Sequence, residues 1–395
     1  MNFRIKASKF YSIKKINYVT IFPKAESVHL SKDVGQIPRI FAKEFGFNSL
    51  LVTESKEHFT SGNLHDTSFN VINLWKFPIF GAANISTFFH VFCNASRIDV
   101  LNLYHLSFET KLLSIFYKLV NPKGFVYIKL DVNVQNEKLA LQRIVHRSGI
   151  RRYLGTRFHQ AFFRAVDVFS AESAEGVAIV SKRYPMMRSK LIEVTNGIEV
   201  ASLAQDRQSV AASKEDLIIT VGRIGSYEKN NELFIRSLSK ASIKKWKVAI
   251  VGPYTHDFEV LFDTFIKQNP ELQGSIELVG NVSDRDSLMS WYSRAKILVI
   301  TSRSEGFPLV FSEAQCHGNY IISTNVSSVV EITKNCRYGQ VVDGNENAIS
   351  SMITEVIARG VCSEGMISEI MEYAREKYDW KNVLQELYRR IQRHA

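Results

Sequence analysis

Two glutamates flank an apolar run in SRSEGFPLVFSEAQCHG, the stretch from Ser302 to Gly318. Glu305 follows a predicted strand, and Pro308 is predicted to be the first residue of a helix that contains Glu313. The amino end of a helix favours phosphate, because its free N–H groups point outward and its dipole is positive there. Glu313 would lie about 7 Å along the axis, at about 1.5 Å per residue, which suits a ribose beside that phosphate. The spacing alone also fits a loop glutamate and a solvated helix glutamate.

A second pair of charges lies in GRIGSYEKNNELFIRSL, after the predicted strand LIITV. Arg223 ends that strand, and Lys229 precedes a helix. A rigid guanidinium fork and a mobile ammonium are the two usual ways of holding a diphosphate. Both contacts strengthen as charge builds on a leaving phosphate. Their position at the carboxyl end of a strand favours this interpretation over that of two surface charges.

Short apolar runs alternate with helical segments along the whole chain, a pattern typical of βα units around a parallel sheet. Seven strands are predicted in the first half and six in the second, and the polar segment 201–216 is the candidate linker. We therefore predict an α/β chain of two tandem, doubly wound Rossmann-like domains that face each other across a cleft. The first would span 1–200 and be joined by the amphipathic terminal helix 379–395, with Trp380, Leu384 and Leu387 in its apolar stripe; the second would span 201–378.

Four segments of the second half resemble, in order, family-4 retaining glycosyltransferases of the GT-B fold, the type found in bacterial surface-polysaccharide synthesis. They are VGRIGSYEKNNELFIRSL, AIVGP, IELVGNV and SRSEGFPLVFSEAQCHGNYIIST, preceded by TNGIEV at the predicted domain crossing. The resemblance covers most of residues 190–325; from Met1 to about Asp167 it extends only to architecture.

The resemblance implies an enzyme that transfers a sugar from a nucleoside diphosphate, with UDP favoured and GDP next, to a glycan or lipid-linked glycan. Arg223 and Lys229 would hold the diphosphate, and Glu313 the ribose. Glu305 would orient the donor sugar and phosphates, together with the backbone of three residues, Phe307, Pro308 and Leu309. No metal or cofactor is expected, because the family that the chain resembles needs no metal. A sugar-nucleotide epimerase on the same fold is the alternative.

The first half departs from the family pattern in two places. Only Gly35 remains of a glycine pair near the donor phosphates; it would bring backbone amides close to phosphate or simply form a turn, with Lys32 and Asp33 as acceptor-site candidates. In GFVYIKLDVN, Asp131 occupies the position of the family's usual histidine, two residues after Lys129. Asp131 would contact the reacting sugar or form a cap or salt bridge. His105, at the end of DVLNLYH, competes for that role.

The charge of the chain is concentrated in its first half. Residues 1–200 carry 27 Lys and Arg against 15 Asp and Glu, whereas residues 201–395 carry 23 against 24. Six arginines lie among apolar residues in one segment, a pattern that suits an anionic membrane surface as well as a solvated face: Arg143, Arg147, Arg151, Arg152, Arg157 and Arg164. Nucleic-acid binding is disfavoured, because no recognisable reader motif is present.

The cellular location is inferred from the cysteines and the amino terminus. No Cys lies in a zinc-ligand spacing, which predicts reduced thiols. The amino terminus lacks the apolar core of a signal peptide. The run from Phe77 to Cys93 is polar in places and short for a span, which favours a buried or docking helix. We expect a cytoplasmic protein; peripheral attachment at the inner face of the cytoplasmic membrane is one of the two interpretations of its basic segment.

Overall fold

A computed structural model describes residues 11–12, 15–30, 32–54, 69–74, 85–132, 150–199 and 207–394. All thirteen predicted strands are confirmed. They are β1 Asn17–Ile21, β2 Asn48–Thr53, β3 Asn70–Asn73, β4 Val100–Tyr104, β5 Phe125–Lys129, β6 Val168–Ala171, β7 Leu191–Glu193, β8 Glu215–Val221, β9 Lys247–Val251, β10 Ile276–Gly280, β11 Ala295–Ile300, β12 Tyr320–Thr324 and β13 Gly339–Val342.

The strands form two parallel sheets. The first has the order β3-β2-β1-β4-β5-β6-β7, and the second has the order β10-β9-β8-β11-β12-β13. The winding direction reverses between β1 and β4 in the first sheet and between β8 and β11 in the second. In open sheets of this kind, ligands bind beyond the carboxyl ends of the strands at such a reversal. The α/β, doubly wound fold class is therefore confirmed, and it gives each sheet one edge suited to ligand binding.

Helices flank the sheets along the described part of the chain. The α-helices are α1 Ser27–Leu30, α2 Asp33–Lys43, α3 Ile85–Asn94, α4 Phe108–Val120, α5 Ile150–Ala165, α6 Ala174–Arg183, α7 Arg207–Ala212, α8 Asn231–Leu238, α9 His256–Gln268, α10 Arg285–Arg294, α11 Leu309–Cys316, α12 Val329–Ile332, α13 Glu346–Arg359, α14 Glu364–Tyr378, α15 Trp380–Val383 and α16 Gln385–His394. Short 3₁₀ turns occupy Ala95–Arg97, Pro185–Lys190 and Pro270–Leu272. None of the described helices is both long enough and apolar enough to cross a membrane.

Both faces of each sheet are covered, as parallel sheets require. On β1, Val19 packs with the cluster that includes residues of α3, α4 and α5, whereas its neighbour Tyr18 packs with residues of α2 and α16. This alternation follows from the two-residue period of a strand. The second sheet has the same arrangement, with Ile218 in one apolar cluster and Ile219 in the other.

The chain divides into two compact units. The described residues up to Val132, those of 150–196 and those from Trp380 onward form the first unit, and Gly197–Asp379 falls within the second. Four buried residues of the terminal stripe, Trp380, Leu384, Leu387 and Ile391, pack with the first unit's core. The final helix therefore returns to the first sheet.

The predicted linker, residues 201–216, does not coincide with the boundary between the two units. The crossing between units lies at Asn196–Gly197, before residues 201–216. Within that stretch, Arg207–Ala212 forms α7, whose Val210 and Ala211 are buried against Ile367 and Met371. Residues 201–206 are outside the described residues. The short helix was missed because two buried positions are too few to show a helical period.

Two other predictions are only partly covered. Of the run from Phe77 to Cys93, the described part lies in helix α3, and residues 77–84 are outside the described residues. Arg143 and Arg147 also lie outside them, as do the side chains of Arg151 and Arg152. All four cysteines of the chain are free thiols.

Candidate functional site

The loop after β8 is shaped by glycines at close contacts. Gly225 has a φ of +83°, and a Cβ there would lie 2.5 Å from Thr255 Oγ1 and 2.7 Å from Phe258 Cβ. A Cβ on Gly252, after β9, would lie 1.9 Å from the carbonyl oxygen of Gly222. Side chains at these positions would separate the two loops. The glycines therefore bring the segment that contains Arg223 against the start of α9.

Arg223 leaves this loop toward solvent. Its side chain is exposed, and it forms no ion pair with another residue of the described ranges. A guanidinium offers five N–H donors in a fixed plane. Arg223 is therefore available to an anionic ligand, as its position after β8 predicts.

Lys229 and Glu305 form an ion pair, with Lys229 Nζ 2.6 Å from Glu305 Oε1. Their side chains are 16% and 13% exposed, so solvent still reaches both. Ser302 Oγ also donates to Glu305 Oε1, at 2.6 Å. The backbone supports the pair, because Thr301 Oγ1 donates to the carbonyl oxygen of Asn230 at 3.0 Å and thus ties the loop after β11 to the start of α8. Two residues that the motifs proposed separately are therefore in direct contact.

The segment after Glu305 starts α11. The helix begins at Leu309 with Pro308 as its N-cap, so the predicted start at Pro308 was one residue early. Phe307 is buried, with its ring 6.1 Å from that of Tyr378 at 62°. This packing fixes the chain as it enters the helix and directs the first turn of α11 to the carboxyl edge of the sheet.

Glu313 is buried on α11 and already has two partners. Arg285 Nη1 lies 2.6 Å from its Oε1, and the Tyr292 hydroxyl donates to its Oε2 at 2.9 Å. Burial, and then the charge of Glu313, raise the pKa of Tyr292 well above its usual range, which keeps the phenol a donor. A carboxylate has about four acceptor positions, so Glu313 can still accept a ribose hydroxyl. The alternative interpretation of Glu313 as a solvated helix glutamate is therefore wrong, because the side chain is buried and is held in place from α10.

Arg285 and Tyr292 were missed in the sequence. They are seven residues apart on α10, which puts them on one face of the helix. That spacing could have shown that they act together, but it says nothing about which element they contact. Both meet Glu313 across more than twenty residues of chain.

The remaining predicted residues belong to the first unit. Asp131 is exposed two residues beyond β5 and has no hydrogen bond or ion pair with another described residue. Gly35 lies in the first turn of α2, where a Cβ would approach the carbonyl oxygen of Leu30 to 2.3 Å. Its amide donates to the carbonyl oxygen of Lys32 at 3.1 Å. Packing against α1 therefore accounts for this glycine, and its amide is already bonded within the turn.

His105 stands at the reversal of the first sheet. Its φ is +58°, the left-handed region, and its amide donates to the carbonyl oxygen of Lys129 at 3.0 Å. The exposed imidazole lines a cavity of about 150 Å³, with Phe22, Phe88, Tyr104 and Glu109 among its walls. Strained backbone of this kind is concentrated at functional sites. The cavity combines aromatic faces with a few polar groups, as small-ligand sites do.

No group of three or more His, Cys, Asp or Glu side chains within the described ranges is arranged to hold a metal ion.

Sequence comparison places the second unit among known proteins. Residues 202–377 match the family described as glycosyl transferases group 1. The amylovoran biosynthesis glycosyltransferase AmsD of Erwinia amylovora is 25% identical over 255 residues, which cover 62% of this chain and 70% of AmsD. An uncharacterized 41.2 kDa protein in the cps region of Klebsiella pneumoniae is 28% identical over 126 residues, 32% of each chain. The aligned regions span less than half of the first three relatives, from 32% to 46% of their length.

Structural comparison extends over nearly the whole chain. HepE of Anabaena, solved in complex with UDP and glucose, has a TM-score of 0.68 and 13% identity and covers 96% of this chain and 100% of its own. The lipopolysaccharide outer core galactosyltransferase WaaB has a TM-score of 0.62 and 13% identity, with coverages of 95% and 99%. At these identities the likeness shows the fold alone, and it confirms the predicted GT-B fold.

Proposed function

Because residues 202–377 match the family described as glycosyl transferases group 1, we propose that this chain transfers a sugar from a nucleoside diphosphate to a glycan acceptor. The observation that carries the proposal is the solvent-accessible Lys229–Glu305 pair at the carboxyl edge of the second sheet. Arg223 follows the neighbouring strand β8 with its side chain exposed. Two cations and one carboxylate at this edge match the needs of a diphosphate attached to a polyhydroxyl ring.

The charges of this site suggest how the donor is bound and activated. A diphosphate would replace Glu305 as the ion-pair partner of Lys229, because its two phosphate groups carry more negative charge than one carboxylate. Glu305 would then accept hydroxyl hydrogens from the donor sugar. Arg223 and Lys229 would stabilise the charge that develops on the leaving phosphate, which lowers the barrier to bond cleavage. Glu313, held by Arg285 and Tyr292, would accept from the ribose.

We propose that UDP is the nucleoside diphosphate of the donor. We also propose that the transfer retains the anomeric configuration of the sugar and requires no metal ion. The complex of HepE with UDP and glucose supports the choice of UDP. Retention and metal independence follow from the resemblance of the motifs to family-4 enzymes. Chelation with EDTA should therefore leave the transfer rate unchanged, and a loss of activity that added Mg²⁺ or Mn²⁺ restores would contradict metal independence.

The acceptor that we propose is a glycan, free or lipid-linked, in the synthesis of bacterial capsule, O-antigen or exopolysaccharide. The similarity to AmsD and to the protein of the Klebsiella cps region supports this class. In the first unit, the cavity beside His105 offers aromatic faces for the apolar side of a sugar ring and Glu109 for its hydroxyls. Asp131 is free to contact the reacting sugar.

Attachment to an anionic membrane surface would bring the chain to a lipid-linked acceptor. Phe89 and Phe92 on α3 are 51% and 52% exposed, and Phe108 on α4 is 67% exposed. Arg157 and Arg164 are exposed on α5, and the rings of Phe108 and Phe158 lie 5.7 Å apart. Exposed aromatics beside basic side chains are typical of proteins that bind the bilayer interface.

The experiment is to incubate the protein with UDP-sugars and GDP-sugars, with and without oligosaccharide and lipid-linked acceptors, and to identify every product. We expect acceptor-dependent release of one nucleoside diphosphate and a glycosidic bond that keeps the donor's anomeric configuration. A modified sugar nucleotide formed without any acceptor would instead indicate an epimerase. Lys240→Ala is the matched control, because Lys240 forms an exposed ion pair of 2.7 Å with Glu346 in the same unit.

A further inference from the structure

A lysine ammonium is buried at the carboxyl edge of the first sheet. Lys129, the last residue of β5, has a side chain that is 1% exposed. Its Nζ lies 3.4 Å from Glu172 Oε1, 3.8 Å from Asp33 Oδ2 and 3.2 Å from the carbonyl oxygen of Val194. Removing an ammonium from water is costly, and well-packed apolar side chains often stabilise a fold as well as a buried ion pair does. Stability alone therefore does not account for this centre.

Glu172 is the second buried charge. It follows β6 with a side chain 10% exposed, and Asn196 Nδ2 donates to its Oε1 at 2.8 Å. Burial raises the pKa of Glu172 to about 7, against the lowering effect of Lys129 and Asn196, and the charges of Asp131 and Asp33 raise it further. The carboxyl group thus responds to both aspartates.

The pair joins four segments of the edge. Asp33 is the first residue of α2, Lys129 ends β5, Glu172 follows β6, and Val194 and Asn196 follow β7. The two aspartates extend from this buried centre toward the surface: Asp33 has a side chain 20% exposed, and Asp131 is exposed. Oδ1 of Asn196 is buried with no hydrogen-bond partner in the described part of the chain. Tyr127 also faces the centre; burial, and then the charges of Asp33 and Glu172, raise its pKa.

A second lysine–carboxylate pair lies at the opposite edge of the same strands. Lys118 Nζ is 2.8 Å from Asp167 Oδ2, with side chains 16% and 20% exposed. The Lys118–Asp167 contact is shorter than the Lys129–Glu172 contact, and its lysine is more exposed to water. Asp167 also accepts a hydrogen bond from the amide of Val126 at 2.7 Å, which is typical of a structural ion pair. Lys129 is instead divided between two carboxylates. A change in the charge or position of the Glu172 or Asp33 carboxylate would therefore move the Lys129 ammonium and alter its contact with the other carboxylate.

We propose that Lys129 and Glu172 are positioning residues of the transfer reaction, which hold the Asp33 carboxylate in place for the hydroxyl groups of the sugar substrate. The proposal rests on the proposed function of the chain as a glycosyltransferase. Lys129 is too deeply buried to touch a substrate, so it acts through Asp33, and Glu172 acts by sharing the Lys129 ammonium. The ionised pair is the active form. When Glu172 is neutral it no longer attracts the Lys129 ammonium, which then moves toward Asp33 and disturbs the position of that carboxylate.

The test is a double variant, Lys129→Met with Glu172→Leu, which replaces the pair with apolar groups. We expect it to fold, to gain the same thermal stabilisation from UDP as the wild type and to lose about tenfold or more in kcat, the scale of one charge-assisted contact. Lys118→Met is the matched control, with unchanged kcat. A folded double variant with wild-type kcat would overturn the proposal. No transfer by the wild-type chain would instead overturn the proposed function, and this inference with it.

Glu172→Gln keeps the test decisive if the double variant does not fold. The amide preserves the bond to Asn196 but cannot ionise. Wild-type kcat should rise as pH passes through about 7, where Glu172 loses its proton. The variant should remain at the wild type's low acidic rate across that range, whereas a purely structural glutamate would leave the two pH profiles parallel.

Discussion

Two lysine–glutamate pairs lie at the carboxyl edges of the two sheets, and they differ in access to water. In the second unit Lys229 contacts Glu305 at 2.6 Å, with both side chains more than a tenth exposed. In the first unit Lys129 lies 3.4 Å from Glu172 with 1% of its side chain exposed. A ligand can reach both members of the first pair and replace one as the partner of the other, whereas it cannot reach the Lys129 ammonium of the second pair. In our proposals, similar chemical groups therefore serve binding in one unit and positioning in the other.

The difference has an energetic side. An ion pair near solvent contributes little to stability, so exchanging one partner for a phosphate costs little. A buried pair is strongly destabilising to break, because one uncompensated charge remains inside the protein. Substitutions in the second unit should therefore mainly affect ligand binding and turnover, and those in the first unit should also change stability.

The largest effect is expected from removing both cations of the second unit. Arg223→Ala with Lys229→Ala would remove the two proposed charge-assisted contacts to the diphosphate, each worth about 1.5–3 kcal/mol. We expect kcat/KM to fall by about 10²-fold or more, with the unfolding temperature close to that of the wild type. Steady-state kinetics beside Lys240→Ala would measure it. An equal loss in Lys240→Ala would show that the charge of the unit, and not this site, matters.

The next effect concerns the stability of the first unit. The pKa of Glu172 is raised from 4.5 to about 7 by burial, so the stability of its neutral form is fully present below pH 4.5 and is lost as pH rises through 7. The loss should be about 3 kcal/mol. Glu172→Gln has no such loss, and its free energy of unfolding relative to the wild type should rise by that amount over this range. Urea unfolding at a series of pH values would measure it, and parallel curves would show an ordinary pKa.

A smaller effect is expected at Glu313, which shares features with the glutamates of both pairs. Glu313 is buried like Glu172 but would contact the donor like Glu305. Glu313→Gln keeps an acceptor for the Tyr292 hydroxyl and removes the charge. We expect UDP to bind about tenfold more weakly, or about 1.4 kcal/mol. Calorimetric titration would measure it, with Glu369→Gln as a control from an exposed ion pair. Unchanged affinity would leave Glu313 as a purely structural partner of Arg285.

The smallest effect is expected at the basic face of α5. Arg157→Ala and Arg164→Ala should each weaken binding to anionic vesicles by about 1 kcal/mol, because each removes one charge near the lipid surface. Co-sedimentation with phosphatidylglycerol vesicles at low and high salt would measure it, with neutral phosphatidylcholine vesicles as the control. Equal binding to both lipids would contradict the electrostatic attachment of the first unit.

The sequence predicted the fold better than the contacts of the site. Apolar runs identified every strand within the described residues, because burial on both faces of a parallel sheet leaves a strong local signal. Motif positions proposed Lys229 and Glu305, but their contact depends on how two distant loops fold. Arg285 and Tyr292 were missed for the same reason. Glu172 could have been found by asking which residue neutralises Lys129, since a lysine that ends an apolar strand needs a partner.

The most direct test of the donor site is thermal unfolding with increasing UDP, GDP and their sugars. Wild type, Lys229→Ala and Lys240→Ala would be compared. We predict a selective, saturable rise in unfolding temperature that is retained in Lys240→Ala and reduced in Lys229→Ala, since only ligands that bind the native state stabilise it. No rise with any nucleotide, or the same rise in all three proteins, would contradict the assignment of this edge to a nucleoside diphosphate.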